Sequence, residues 1–137
     1  MTPTPAVSEL EMETRSYELD AYGHMNQAVA VQWFEHARLH HLRERGMTYE
    51  SIPREMGVHV MVLRQDVTYR RQVMLGDRFR MTTHVAKLGR TSFTWEHALV
   101  PVAGGDPAIT ATVTMVCVGP DARSTALPDA LRAGLSA

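Results

Sequence analysis

Residues 19–38 read LDAYGHMNQAVAVQWFEHAR, and the change of pattern within this stretch decides the fold. Its second half places four apolar side chains at the spacing i, i+3, i+4 and i+7, on one face of a helix: Ala30, Trp33, Phe34 and Ala37. Asparagine is a favoured N-cap, and glycine commonly follows the last turn of a helix. The sequence therefore predicts a long helix over residues 26–45, with Asn26 as its cap and Gly46 at its end.

Strand patterns lie on both sides of this helix. Before it, apolar and charged residues alternate over residues 9–13, which predicts a first strand with one wet face that ends near Tyr17. After it, four further segments favour strands: residues 58–73, 78–88, 92–102 and 110–117. We expect a loop around Pro53, and turns at Gly76 and Gly89 between the strands.

The order of these elements predicts the fold class. Long consecutive strands joined by short turns favour an antiparallel sheet, and a single long apolar helix needs a face against which to pack. A chain of 137 residues with 45% hydrophobic composition can form one core but is short for two domains. We therefore predict one α+β domain over residues 1–137, in which a five-stranded antiparallel sheet wraps around one long central helix.

Composition disfavours several classes of partner. Fourteen Lys and Arg against fifteen Asp and Glu leave a formal charge of −1, so we expect no nucleic-acid partner. No stretch approaches the ~20 apolar residues of a membrane span, and residues 1–9 lack the pattern of a secretory signal. The single cysteine cannot form an internal disulfide. These features favour a cytoplasmic protein without a membrane span.

The residues with chemical potential concentrate between the first strand and the helix. Asp20 lies just before the helix, where free backbone N–H groups and the positive end of the helix dipole favour a negative charge. The same N–H groups can stabilise an oxyanion. A structural interpretation competes, because Asp at the first position and Gly23 at the fourth form the preferred signature of a type I turn. Taken alone, the residues favour the turn.

A family resemblance changes that balance. The segment Asp20-x-x-Gly23-His24-x-Asn26, followed by VQWFEHAR at residues 31–38, resembles the 4-hydroxybenzoyl-CoA thioesterase family and its bacterial acyl-CoA thioesterase branch. Three later segments are also similar to that family: Val67-Thr68-Tyr69, Lys87-x-Gly89-Arg90-Thr91-Ser92 and Met115-Val116-Cys117-Val118. The resemblance implies a hotdog fold and the hydrolysis of an acyl-CoA without a cofactor or a metal. An acyl-carrier-protein substrate stays open.

The resemblance also implies roles for individual residues. Asp20 would attack the thioester carbonyl or activate water to do so, and the backbone N–H of Gln27 would stabilise the oxyanion. The benzoyl-specific relatives carry a tyrosine at the position of Gln27, so their aromatic specificity is not expected here. Asn26 is expected to cap the helix and hold the loop, while Gly23 and His24 line the site.

Other residues are candidates for substrate contacts. Four residues of the predicted turn after residue 86 have charge or hydroxyl groups suited to a CoA phosphate or pantetheine arm: Lys87, Arg90, Thr91 and Ser92. A solvated hairpin explains the same polarity equally well. Trp33 is a candidate for the acyl pocket, although an aromatic residue at helical spacing more often belongs to the core.

Several other residues are candidates for metal binding or catalysis, but each also has a structural interpretation. His36 and His40 have the i, i+4 spacing of metal ligands, but the His-Glu-x-x-His order and a third ligand are missing from the pattern. Cys117 lies on the apolar face of the last strand, where a buried inert thiol is expected. Glu35 is a candidate second carboxylate in the helix, and an exposed partner of nearby arginines explains it equally well.

Two alternative functions and an assembly state complete the expectations. A hotdog dehydratase or hydratase shares the fold, but the proline-rich histidine loop of the acyl-carrier-protein dehydratases is missing from this sequence. A non-catalytic acyl-thioester binding protein would need Asp20 only as a turn former. The resemblance implies a homodimer whose sheets join edge to edge, or a homotetramer of two such dimers, and the open edges of a five-stranded sheet favour such pairing.

Overall fold

The computed structural model describes residues 6–137 and contains three helices and five strands in that range. The strands are β1 (Ser8–Glu13), β2 (His59–Tyr69), β3 (Arg78–Leu88), β4 (Ser92–Pro101) and β5 (Ile109–Val118). The helices are α1 (Gln27–Arg43), α2 (Ser51–Met56) and α3 (Asp129–Ser136), and a 3₁₀ turn spans Ser16–Glu18. The predicted sheet and long helix are therefore confirmed. No helix within residues 6–137 is long and apolar enough to cross a membrane.

The five strands form one antiparallel sheet in the order β1-β3-β4-β5-β2. In β4 and β5 buried residues alternate with more exposed ones, so one face of the sheet holds the core. Helix α1 packs against this face near β1 and β3, with Trp33, Phe34 and Ala37 buried. The buried side chains of the strands and the buried side chains of α1 thus pack against each other in one apolar layer.

Several predicted boundaries are corrected by the structure. The first strand ends at Glu13 rather than near Tyr17. Helix α1 ends at Arg43 rather than at residue 45. The loop expected around Pro53 contains α2. At its start the backbone N–H groups of Thr48 and Ser51 each donate to the side-chain oxygen of the other. Gly57 ends the helix with φ +72°.

Strand β2 is the most important correction. It ends at Tyr69 rather than at residue 73, and it pairs with β5 instead of β3. Residues 70–77 therefore form a connection from one edge of the sheet to its interior instead of a hairpin turn. Hairpin geometry needs adjacent strands, and the pairing of β2 with β5 puts two strands between β2 and β3.

The outer edge of β2 is unpaired among residues 6–137 and carries exposed apolar side chains. Met61 and Leu63 are 55% and 66% exposed, and Val62 is 44% exposed. An eleven-residue edge strand with these side chains is a strong template for pairing with another chain.

Candidate active site

The segment between β1 and α1 forms a tight loop at the end of the sheet where β2 finishes. Leu19 and Met25 pair as an antiparallel bridge, and the N–H of Asp20 donates to the carbonyl of His24 at 2.7 Å. The N–H of Gly23 donates to the carbonyl of Asp20 at 3.2 Å, and Gly23 adopts φ +79°. The predicted turn from Asp20 to Gly23 is therefore present, and its glycine is required by backbone conformation.

The carboxylate of Asp20 is held by its own loop through one oxygen. Asp20 Oδ1 accepts the N–H groups of Tyr22 at 2.8 Å and His24 at 3.1 Å. Within residues 6–137, Oδ2 has no protein donor. The hydrogen bond from His24, followed by that from Tyr22, lowers the pKa of this partly exposed carboxyl below its ordinary value, against an opposing desolvation effect. Asp20 is therefore ionised at neutral pH with one oxygen available.

The first turn of α1 leaves one backbone donor free beside this carboxylate. Asn26 Oδ1 accepts the N–H of Ala28 at 2.8 Å, which confirms Asn26 as the N-cap. The N–H of Val29 donates to the Asn26 carbonyl at 2.9 Å. The N–H of Gln27 has no protein acceptor in the described part of the chain. A free N–H at a helix start can bind an anion or a developing oxyanion.

Asp20 and the start of α1 line the same open pocket, which has a volume of about 570 Å³. The other lining residues come from the loop, the end of β2, its following connection and β5: His24, Met25, Asn26, Gln27, Tyr69, Arg71, Gln72, Val73 and Ile109. The structure thus brings together four of the predicted site residues, and Gly23 forms their loop. The Tyr69 hydroxyl donates to the carbonyl of Gln27 at 2.8 Å and ties β2 to the helix start.

Trp33 lies away from this pocket. Its side chain is buried in the core, and its indole Nε1–H donates to Glu18 Oε2 at 2.7 Å. Glu18 gives no signal in the sequence, because a glutamate after an alternating strand pattern predicts a solvated side chain. Its burial depends on a partner fifteen residues further along the chain. Trp33 and Glu18 instead line a separate pocket of about 550 Å³ that does not include Asp20, so Trp33 as a substrate contact stays a prediction.

The predicted CoA-binding turn lies at the opposite end of the sheet from Asp20. Lys87 and Arg90 are exposed beside the β3–β4 turn, and Thr91 and Ser92 are half-buried there. Strand β3 separates the two ends, and its eleven residues span about 33 Å. Within one chain, therefore, these four residues and Asp20 cannot contact one short ligand segment.

The remaining candidates lie outside the pocket. His41 is buried, with Ser8 Oγ 2.7 Å from its Nδ1, and burial, helped by Arg45, lowers its pKa to about 4. Cys117 is buried, and burial raises the pKa of its thiol. Glu35 and His36 are exposed on α1. Among residues 6–137, no three His, Cys, Asp or Glu side chains come together as metal ligands.

The sheet, the long helix and the Asp20 loop are those expected of a hotdog-fold thioesterase, and comparison with known proteins gives the same family. The thioesterase-like superfamily matches residues 14–135, so the chain belongs to this family of hotdog-fold proteins. The structure resembles that of the SAV2348 protein of Staphylococcus aureus in complex with CoA, with a TM-score of 0.86, 19% identity, and coverage of 96% of this chain and 83% of that one. The predicted hotdog fold is confirmed.

Two relatives to which the chain is similar are thioesterases. The chain is 25% identical to the long-chain acyl-CoA thioesterase FadM of Escherichia coli over 110 residues, which cover 80% of this chain and 82% of FadM. It is 22% identical to the chloroplastic acyl-acyl carrier protein thioesterase ATL3 of Arabidopsis thaliana over 124 residues, which cover 90% of this chain and 65% of ATL3. The family is therefore established, while the 4-hydroxybenzoyl-CoA branch stays a prediction.

Proposed function

We propose that this protein hydrolyses an acyl-CoA thioester to the free acid and CoA. The observation that carries the proposal is the pairing of two groups in one pocket. The free oxygen of Asp20 is a base or nucleophile, and the unpaired N–H of Gln27 is an oxyanion donor. Acyl transfer to water needs both, because charge develops on the carbonyl oxygen as the nucleophile adds.

Two sequences of steps fit this arrangement. As a general base, Asp20 takes a proton from water while the water oxygen bonds to the thioester carbon. The oxyanion accepts the Gln27 N–H, the C–S bond then breaks, and the thiolate takes a proton. As a nucleophile, Asp20 forms an acyl anhydride and expels the thiolate, and water then hydrolyses the anhydride. In both sequences Asp20 gives up its negative charge as the tetrahedral intermediate forms, and the Gln27 N–H stabilises the oxyanion.

The pocket supports a substrate of mixed polarity. It offers the apolar side chains of Met25, Val73 and Ile109 together with polar groups on the loop and on β2. FadM and ATL3 are named for CoA and carrier-protein thioesters respectively, and both substrates end in the same pantetheine arm. We propose CoA as the substrate form, with carrier-protein thioesters as the alternative.

The assembly proposed with this function is a homodimer in which two β2 edges pair antiparallel. The exposed apolar edge of β2 favours such pairing. Antiparallel pairing reverses the direction of the partner sheet, so it moves the partner's β3–β4 turn toward the end that carries Asp20. A shared site explains how Lys87 and Arg90 can serve a CoA whose thioester lies at Asp20. Two such dimers form the proposed tetramer.

The test of the proposed function is thiol release from a panel of short, long and aromatic acyl-CoAs. Asp20→Asn keeps an oxygen for the turn but removes the base, so kcat should fall at least ~100-fold while the melting temperature changes little. Asp121→Asn is the matched control, because Asp121 Oδ1 also accepts the N–H two residues ahead, at 3.2 Å, on an exposed turn.

The outcomes separate the candidate functions. Wild-type turnover in Asp20→Asn would remove Asp20 from the mechanism and return it to a turn former. If the protein binds acyl-CoA but releases thiol from no member of the panel, it is a non-catalytic binding protein. Consumption of an enoyl-CoA without thiol release would indicate a hydratase.

A further inference from the structure

The Glu18 side chain is a buried polar group beside the Asp20 loop. It is 6% exposed, and each of its oxygens accepts a hydrogen bond. Oε2 accepts the Trp33 indole N–H at 2.7 Å in a buried bond, and Oε1 accepts the backbone N–H of Arg15 at 2.8 Å. The Arg15 guanidinium lies 3.8 Å away but is 57% exposed, so solvent screens its contribution.

The backbone of Glu18 closes the other side of the same loop. Its carbonyl accepts the N–H of Asn26 at 2.8 Å, immediately before the start of α1. Residue 18 therefore touches α1 at two heights, at the cap and again at Trp33 in the second turn. Residues 19–25, which include Asp20, form the loop that the Glu18–Asn26 hydrogen bond closes, and the Glu18–Trp33 hydrogen bond fixes the start of that loop on α1.

We propose that Glu18 and Trp33 form a positioning pair, which fixes the Asp20 carboxylate relative to the free N–H of Gln27. This inference rests on the proposed function for its catalytic consequence. Neither residue lines the pocket that contains Asp20, and the separate pocket that both line does not include Asp20, so the pair acts on Asp20 through the loop. It also explains why a tryptophan with a buried donor lies on this face of α1: the indole N–H needs an acceptor when it is buried.

The geometry predicts what loosening this pair does. The pKa of Asp20 is lowered first by the N–H of His24 and also by that of Tyr22. These bonds last only while the loop keeps its shape. A loosened loop therefore weakens them and raises the pKa of Asp20, and it shifts the carboxylate relative to the N–H of Gln27, which lines the same pocket. Three other titratable or charged side chains line the pocket with Asp20: His24, whose charge also acts on Asp20, and Tyr69 and Arg71.

Two substitutions at the pair test the proposal, with a third as the matched control. Trp33→Phe removes the donor and keeps an aromatic ring in the core. Glu18→Gln keeps the shape, but an amide has only one acceptor oxygen and places its NH₂ against an N–H donor. Trp95→Phe is the control, because the Trp95 indole N–H donates to Met115 Sδ at 3.3 Å, in the buried core away from the loop.

The expected kinetic result is a loss of turnover with a change of pH profile. Both substitutions at the pair should lower kcat about 10- to 100-fold with KM changed less than about two-fold, because the Asp20 carboxylate loses its alignment while the pocket residues of β2, its following connection and β5 keep their places. The acid limb of kcat/KM should move to higher pH. Trp95→Phe should lower the melting temperature and leave the acid limb in place. In an Asp20→Asn background, Trp33→Phe should have no further effect on kcat.

A spectroscopic readout separates this inference from the proposed function. The chain has only two tryptophans, so the indole ¹⁵N–¹H spectrum contains two signals to assign. Glu18→Gln should shift the Trp33 signal, and Trp33→Phe should shift the amide signals of Tyr22 and His24, whereas Trp95→Phe should not. The inference is overturned if both pair variants leave those amides and the acid limb unchanged, whatever activity Asp20→Asn shows. Turnover at wild-type level in Asp20→Asn would instead overturn the proposed function.

Discussion

The backbone N–H of Gln27 can be removed without removing a protein hydrogen bond, and this permits a sharp test of the oxyanion site. Gln27 is the first residue of α1, and proline is favoured at that position because its missing N–H is unpaired in any case. Asn26 has φ −61° and ψ 134°, which is the extended conformation that a residue before proline prefers. Gln27→Pro should therefore fold with α1 intact and lose only the donor.

The magnitude follows from the role of that donor. Removal of one oxyanion donor typically costs ~10²- to 10³-fold in kcat, or about 3–4 kcal/mol of transition-state stabilisation. Gln27→Ala keeps the N–H and should retain most of the turnover, because the Gln27 side chain is exposed and supplies no proposed contact. The assay is thiol release at saturating acyl-CoA, with circular dichroism and thermal melts of both variants.

A control is needed for the volume of the proline ring, which occupies the place of the hydrogen. An amide-to-ester replacement at residue 27 removes the N–H without adding atoms, and it should give the same loss as Gln27→Pro. Turnover of both variants within a few-fold of Gln27→Ala would refute the assignment of this N–H as the oxyanion donor.

Three further predictions concern stability, the CoA contact and assembly. Burial, together with Arg38, lowers the pKa of His97 from 6.5 to about 3, so below pH 6.5 the unfolded chain binds a proton that the folded chain does not. His97 should therefore contribute a fall in stability of about 2 kcal/mol between pH 7.5 and 5 in urea unfolding at fixed protein concentration, and His97→Gln should remove that share while the similar share of His41 remains. Arg90→Ala should raise KM for acyl-CoA more than it lowers kcat, by an amount that shrinks with added salt; an unchanged KM at low ionic strength would contradict this contact. Lysine at both Met61 and Leu63 should dissociate the dimer in light scattering at micromolar concentration, and a wild-type monomer with full activity would exclude the β2 interface.

Local patterns predicted most of the secondary structure because their causes are local. The helical spacing of Ala30, Trp33, Phe34 and Ala37 appears directly as the buried face of α1. The alternation in β5 and the cap at Asn26 are likewise properties of adjacent residues. These signals need no knowledge of what packs against them.

Pairing between segments that are distant in sequence could not be predicted from local patterns. Residues 70–73 have the composition of a continuing strand, but β5 ends its pairing with β2 at the Tyr69 and Ile109 pair. Which strand pairs with β2 depends on the whole topology, so the sequence predicted a hairpin where the chain crosses the sheet. Glu18 is hidden for a similar reason, since only its tertiary contact with Trp33 distinguishes it from a solvated glutamate.

The two interpretations of Asp20 are compatible, because its two oxygens have different surroundings. Oδ1 accepts both backbone N–H groups of the loop, as a turn former does, and this bonding fixes the direction of the carboxylate. Oδ2 has no protein donor within residues 6–137, and the carboxylate lines the pocket beside Gln27. The turn is then the means by which the second oxygen is oriented, since a carboxylate held at one oxygen loses the rotation that would move the other. An asparagine can keep its oxygen at Oδ1 and place NH₂ at Oδ2, so one substitution retains the structural half of this residue and removes the chemical half.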